Sequence, residues 1–139
     1  MLAGAIAVAV AALLTCAAEN LAQWAGLDLP SQPVINTFAE AAGLRKAWLV
    51  VSIVVVSPIL EEFLFRHALE RSLAKVTRMT LASRLAVALV FAAAHANLLA
   101  FPALVAVSLI FSRAYASTGL FATPVTAHAV FNAAGLLML

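Results

Sequence analysis

Ala47-Trp48-Leu49-Val50-Val51-Ser52-Ile53-Val54-Val55-Val56-Ser57-Pro58-Ile59-Leu60-Glu61-Glu62-Phe63-Leu64-Phe65-Arg66 is the stretch on which the reading of this chain turns. Ala47 to Leu60 carries no charge, and then two carboxylates and an arginine arrive together. On insertion scales a charged side chain at mid-bilayer costs about 2.5–3.5 kcal/mol. A chain that only had to span a membrane would avoid that cost. An ionisable cluster at membrane depth is therefore read as a functional site. The plainer alternative is that the acids sit at the water interface and end the helix.

The rest of the chain fits a membrane setting. Of 139 residues, 65% are hydrophobic and 10% are charged, and the mean hydropathy is +1.09. Soluble domains carry about 25% charged residues. A spanning helix needs about 20 apolar residues, so the length allows four or five spans and one sizeable loop. The expected fold is an all-α, polytopic transmembrane helix bundle of about five membrane helices around a polar intramembrane cavity. One membrane domain, 1–139, is expected, with a leading helix and loop over 1–45 and the core over 46–139. The net charge of +2 comes from few residues. They are not interleaved with aromatics, so the lipid bilayer is the expected partner and no nucleic acid is. Cys16 is the single cysteine and can form no internal disulfide; it is expected as a small buried hydrophobe. The first 18 residues lack a basic start and a clear cleavage site, so they read as a retained helix.

Apolar runs and breakers divide the chain. Helix one is expected over Leu2 to Leu27. Asp28 to Leu44, with Pro30, Pro33, Ser31, Asn36 and Gly43, reads as a loop with a short interfacial helix over Phe38 to Ala42. Helix two starts near Arg45-Lys46, carries Trp48 as an interface anchor, bends at Pro58 and continues past Arg66. Helix three is expected from Leu85 to Leu99, helix four from Ala103 to Tyr115, and helix five from Leu120 to Leu139. After the glutamate pair, Arg66, Arg71, Lys75, Arg78 and Arg84 are opposed by Glu70 alone. The positive-inside rule places that connection, and with it Arg113 and the N-terminus, in the cytoplasm.

Three groups of residues can do chemistry. Glu61 and Glu62 end the apolar run, and Glu62 can pair with Arg66 at i,i+4. Glu61 is rotated about 100° from Glu62 and can face another partner. His95 lies four residues after Phe91 within an apolar segment. His128 and Asn132 share a helix face at i,i+4 in a stretch without formal charge. At 1.5 Å per residue, His95 lies about 16 Å beyond Arg84, His128 about 13 Å beyond Gly119, and Glu61 about 24 Å from Arg45 on the opposite side. The three groups can meet in one layer if helix two bends at Pro58. Such a set suits water activation and oxyanion stabilisation, and would also suit a metal. Each group alone has a plainer explanation: a helix–helix hydrogen bond for each histidine, a structural ion pair for Glu62 and Arg66, headgroup or water contact for His67, and a local polar contact for Asn97.

Together, and in this order, Glu61-Glu62-x-x-x-Arg66, Phe91-x-x-x-His95 and His128-x-x-x-Asn132 resemble the three motifs of the CPBP (Abi-like) intramembrane proteases. That family includes CAAX prenyl protease 2 and bacteriocin-processing proteins. Ser117-Thr118-Gly119-Leu120 through Pro124 also looks like the family's third-motif helix, and the resemblance spans about residues 47–135. It departs at His67, where small residues are usual.

The resemblance implies a glutamate-dependent membrane endopeptidase. Glu61 would activate water together with His95, His128 and Asn132 would hold the oxyanion, and Glu62, Arg66 and Phe91 would support the site. No cofactor is expected on this reading. The alternative is a zinc ion held by Glu61, His95 and His128. The partner would be a membrane-associated peptide or protein substrate, and the location the bacterial cytoplasmic membrane. Two other classes stay open at this point. One is a non-catalytic binding or bacteriocin-immunity protein on the same scaffold. The other is a proton-coupled transporter, although the paired broken helices of an inverted repeat are not seen.

Overall fold

The structure is a computed structural model that describes residues 2–27 and 33–138, with the backbone alone at 33–35. Among the described residues there is no strand. Six helices follow one another: α1 (Leu2–Trp24), α2 (Pro33–Glu40), α3 (Gly43–Thr77), α4 (Thr80–Ala94), α5 (Phe101–Thr118) and α6 (Ala122–Leu137). The chain is an all-α bundle. By length and composition α1, α3 and α5 can cross a membrane, and α4 is a shorter apolar helix. The sequence suggested about five spans; three helices reach full spanning length.

α3 is not a uniform helix. It winds as a π-helix over Ser52–Val56 and again over Phe63–Glu70. The first π segment lies just before Pro58, so the break expected there takes the form of a widened turn. In that segment the Ser57 N–H reaches back to the Ser52 carbonyl, five residues away. By the same pattern the Ile53 carbonyl would be served by residue 58, which is proline and has no N–H. A carbonyl is thus freed in the middle of the longest helix.

The ends of α4 differ from expectation. It begins at Thr80 and ends at Ala94, five residues early at each end. The chain reverses as soon as α3 stops: Arg78 is left-handed at φ 57°, Thr77 Oγ1 accepts the Met79 N–H at 3.1 Å, and Ser83 Oγ donates to the Met79 carbonyl at 2.9 Å. At the far end Ala96 takes φ 49°, and Asn97 Oδ1 accepts the Ala100 N–H at 3.0 Å. That turn leads into α5, with Pro102 in its first turn, where a missing N–H is harmless. α5 runs wider than the expected Ala103–Tyr115 and stops on Gly119 at φ 70°. In the leading segment α1 ends at Trp24, and the short helix starts at Pro33 rather than Phe38. Of the loop expected over Asp28 to Leu44, residues 28–32 lie outside the described residues.

Two apolar clusters hold the helices. Ala7 and Ala11 of α1, Ala103, Val107 and Phe111 of α5, and Ala127 of α6 form the first. Small residues let these backbones approach closely, as in membrane bundles. At Gly4 the approach is closest: a Cβ there would lie 2.8 Å from the Ala127 carbonyl oxygen. Phe65, Val87 and Phe91 form the second cluster, between α3 and α4. Cys16 corrects the sequence reading, because its side chain is exposed. It lies five residues after Ala11, about 140° around α1, off the face that meets α5 and α6.

Candidate active site

Glu61 and Glu62 stand side by side on α3 but have different surroundings. Glu62 is fully buried and faces two cationic or proton-bearing groups. Arg66 Nε lies 3.0 Å from its Oε2, and His128 Nδ1 lies 3.0 Å from its Oε1. The Arg66 N–H is not aimed along the line to the oxygen, so charge holds that pair more than hydrogen-bond geometry. Arg66 is itself fully buried, and its guanidinium lies 5.4 Å over the Phe91 ring, a cation–π distance.

Glu61 is a quarter exposed. Its Oε1 accepts the hydroxyl of Ser57, one turn earlier on α3. Its Oε2 has no hydrogen-bond partner within the protein. Two imidazoles flank that free oxygen: His95 Nε2 at 3.9 Å and His128 Nε2 at 3.8 Å.

The other nitrogen of each imidazole is anchored. His95 Nδ1 lies 2.8 Å from the Phe91 carbonyl. A carbonyl only accepts, so that nitrogen carries the hydrogen. His128 Nδ1 bonds the Glu62 carboxylate and by the same logic carries a hydrogen. A neutral ring then turns a lone pair on Nε2 toward Glu61, and an imidazolium turns an N–H toward it. Phe91 fixes His95 further with its ring, 4.7 Å away, and Phe111 stacks on His128 at 4.9 Å.

His95 sits at the C-cap of α4, not in mid-helix as the expected Leu85–Leu99 span had it. This is a correction to the sequence reading, caused by the left-handed turn at Ala96. It leaves the His95 side chain about a third exposed (35%). His128, on the buried face of α6, is almost fully enclosed.

Asn132 lies one turn after His128, on the same helix face. Its Nδ2 donates to the Ile53 carbonyl at 2.8 Å, the carbonyl that the π turn and Pro58 left without a partner. One amide hydrogen is therefore committed to bracing α6 against α3. His67 is exposed, stacks on Phe63 at 5.5 Å and lies 3.4 Å from Arg71 Nη1 by its Nδ1. It also meets the Phe121 ring edge-on at 6.4 Å.

The structure thus brings Glu61, Glu62, Arg66, Phe91, His95 and His128 into one constellation and places Asn132 at its edge. Three participants were not foreseen: Ser57, the Ile53 carbonyl and Phe111. Ser57 could have been found, since it precedes Glu61 by one helical turn. The other two depend on contacts between distant helices.

The zinc alternative makes a geometric demand. Two ligands of one tetrahedral zinc ion stand about 3.3 Å apart at ordinary bond lengths. The Glu61–histidine separations exceed that by about half an ångström, and no three His, Cys, Asp or Glu side chains among the described residues are grouped as metal ligands. The residues as placed do not fit the ion.

Beyond this geometry, the profile of one known family, described as type II CAAX prenyl endopeptidase, Rce1-like, matches residues 43–134. That span is well over half of the chain and holds every residue of the constellation. The chain belongs to the Rce1-like family. Membership and the long apolar helices together make this Rce1-like chain a multi-pass membrane protein of a protease family. The curated proteins and the solved structures give no match.

Proposed function

We propose that this chain is an intramembrane endopeptidase that hydrolyses peptide bonds with water activated by Glu61 and His95. The observation that carries the reading is the free Oε2 of Glu61 between two Nε2 atoms at 3.8 and 3.9 Å. A water seated there can hydrogen-bond to the carboxylate and to an imidazole at once. Glu61 Oε2 accepts its proton as general base, and Ser57 orients the carboxylate through Oε1. Oxygen attack on a peptide carbonyl then builds an oxyanion. The donors assigned to it are the remaining N–H of Asn132 and, with Nδ1 held on Glu62, the Nε2–H of His128 in its imidazolium form, the extra proton having been taken up from solvent before the substrate arrives. Glu62 holds the opposite side of the His128 ring and neutralises Arg66. The proton on the base passes to the leaving amine as the bond breaks.

No step is routed through a metal, because the donor separations do not suit one. The substrate class proposed is a membrane-associated peptide or protein, CAAX-type or related. The basic connection and the N-terminus are assigned to the cytoplasmic side of a bacterial membrane by the positive-inside rule.

The test is cleavage of membrane-anchored peptides, prenylated and unprenylated, by the purified chain in lipid vesicles. Wild type should cut at least one peptide and Glu61→Gln should not. Equal cleavage by both, or biological activity retained in full by Glu61→Gln, makes the protein a binder on a protease scaffold.

A further inference from the structure

The motifs leave one buried carboxylate unused. Glu70 stands eight residues after Glu62 and four after Arg66, and all three side chains are buried. An α-helix drifts about 40° over four residues, and the wider π turn over Phe63–Glu70 offsets that drift, so the two acids and the base between them share one line of α3. Glu70 Oε2 accepts Ser112 Oγ at 2.6 Å, and Oε1 accepts Arg84 Nε at 3.2 Å. One carboxylate therefore cross-links α3, α4 and α5.

The two histidines of the site are held unequally. α6 is fastened to α3 at the site itself, by His128 on Glu62 and by Asn132 on the Ile53 carbonyl. α4 has no such tie. His95 bonds its own helix at Phe91 and stands 3.9 Å from Glu61. What holds α4 to α3 is the Phe65–Phe91 edge contact at 5.1 Å, the Arg66 guanidinium over the Phe91 ring, the Thr77–Ser83 hydroxyl pair at the turn, and Arg84 on Glu70. Arg84 and His95 are eleven residues apart. That is about three full turns and 20°, so they lie on one face of α4, about 16 Å apart along it. A rotation or slide of α4 at Arg84 is carried directly to the His95 ring.

We infer that Glu70 is a positioning residue: through Arg84 and Ser112 it sets the register of α4 against α3, and so the place of His95 beside Glu61. The inference rests on the reading of Glu61 and His95 as the water-activating pair and extends it to a residue outside the three motifs.

The experiment uses the full chain in lipid bilayers, with ring-nitrogen NMR of its three histidines and peptide turnover measured on the same samples. Glu70→Gln keeps an acceptor for Ser112 but removes the charge that holds Arg84. It should shift or broaden the His95 resonances, leave His128 and His67 in place, and lower kcat by roughly 10–10²-fold with KM little changed, the size expected of a small misplacement. Arg84→Gln should do the same, and the double variant no more than either alone, because one linkage is lost in all three. Should Glu70→Gln fail to fold, Ser112→Ala removes a single hydrogen bond and is read on the same resonances. His95 unmoved in the folded variants, or all three histidines moving together, overturns the inference. The resonances need no turnover. If Glu61→Gln proves fully active, the endopeptidase reading falls while the His95 signal still decides the role of Glu70.

Discussion

Asn132 of the last helix hydrogen-bonds the carbonyl of Ile53, seventy-nine residues earlier. The acceptor exists because α3 opens into a π turn ahead of Pro58. Asn132 is thus both a candidate oxyanion donor and a mechanical tie, and its replacement should show both effects. Asn132→Ala is expected to slow cleavage by about 10²–10³-fold and to lower the unfolding temperature, since a partly buried carbonyl loses its donor. Pro58→Ala supplies a backbone N–H near that carbonyl. Combined with Asn132→Ala it should recover part of the stability and none of the rate. Thermal unfolding in detergent and peptide turnover, measured on the same preparations, separate the two.

Glu61→Gln should act on rate alone. The amide keeps the size of the carboxylate and can still accept the Ser57 hydroxyl, and losing a partly buried charge relieves desolvation. A general base contributes typically 10²–10⁴-fold, so turnover should fall by about that much at an unchanged unfolding temperature. A large drop in stability would mean that the carboxylate is structural.

Arg66→Met should act on stability first. Removing one partner of a fully buried ion pair leaves the other charge uncompensated, at about 3–5 kcal/mol. Glu62→Gln leaves Arg66 exposed to the same penalty and also weakens the hold on His128. Replacing both with apolar residues should cost less than either single change. Denaturant unfolding of the two single variants and the double variant checks the order.

Gly4→Ala tests the seam between α1 and α6. The new methyl would meet the Ala127 backbone carbonyl at 2.8 Å and the Val130 side chain at 2.9 Å. Backbone cannot yield cheaply, so α1 must shift, and overpacking of this kind costs about 1–3 kcal/mol. A lowered unfolding temperature is expected. Unchanged stability would place α1 farther from α6 than described.

Metal dependence has a direct check. Elemental analysis of active protein purified without added metal should find no stoichiometric zinc. Stoichiometric zinc, with activity lost to a chelator and regained with the ion, would replace carboxylate base catalysis by Lewis-acid hydrolysis.

The class of fold was legible because apolar content and run length depend on composition alone. The meeting of Glu61, His95 and His128 was legible because helical rise is regular, so residues counted from charged boundaries give depth. What was not legible depends on pairings across the bundle. The unserved Ile53 carbonyl follows from a π turn, and one widened turn leaves no mark in hydrophobic spacing. The early end of α4 follows from a left-handed alanine, a conformation costing about 1–2 kcal/mol that tertiary contacts sustain and alanine's own preference does not announce. The exposure of Cys16 depended on which face of α1 meets α5, and a helix apolar all round does not disclose its inner side.

The two widened turns of α3 give that helix more chain than its height requires. Surplus of this kind makes a deletion inside the widened turn and a deletion beyond it very different events. A π turn holds about one residue more than the α winding it replaces, so a chain one residue shorter within 52–56 can return to ordinary α winding with Glu61 facing nearly as before. What it would lose is the unserved carbonyl at Ile53 to which Asn132 is tied. The α-wound Ser57–Glu62 stretch has no such slack: one residue fewer there turns everything beyond it by about 100°, and the Glu62–Arg66–Glu70 line would swing away from its partners. The widened turn thus works as slack in the chain, and the short α stretch after it as an angular setting.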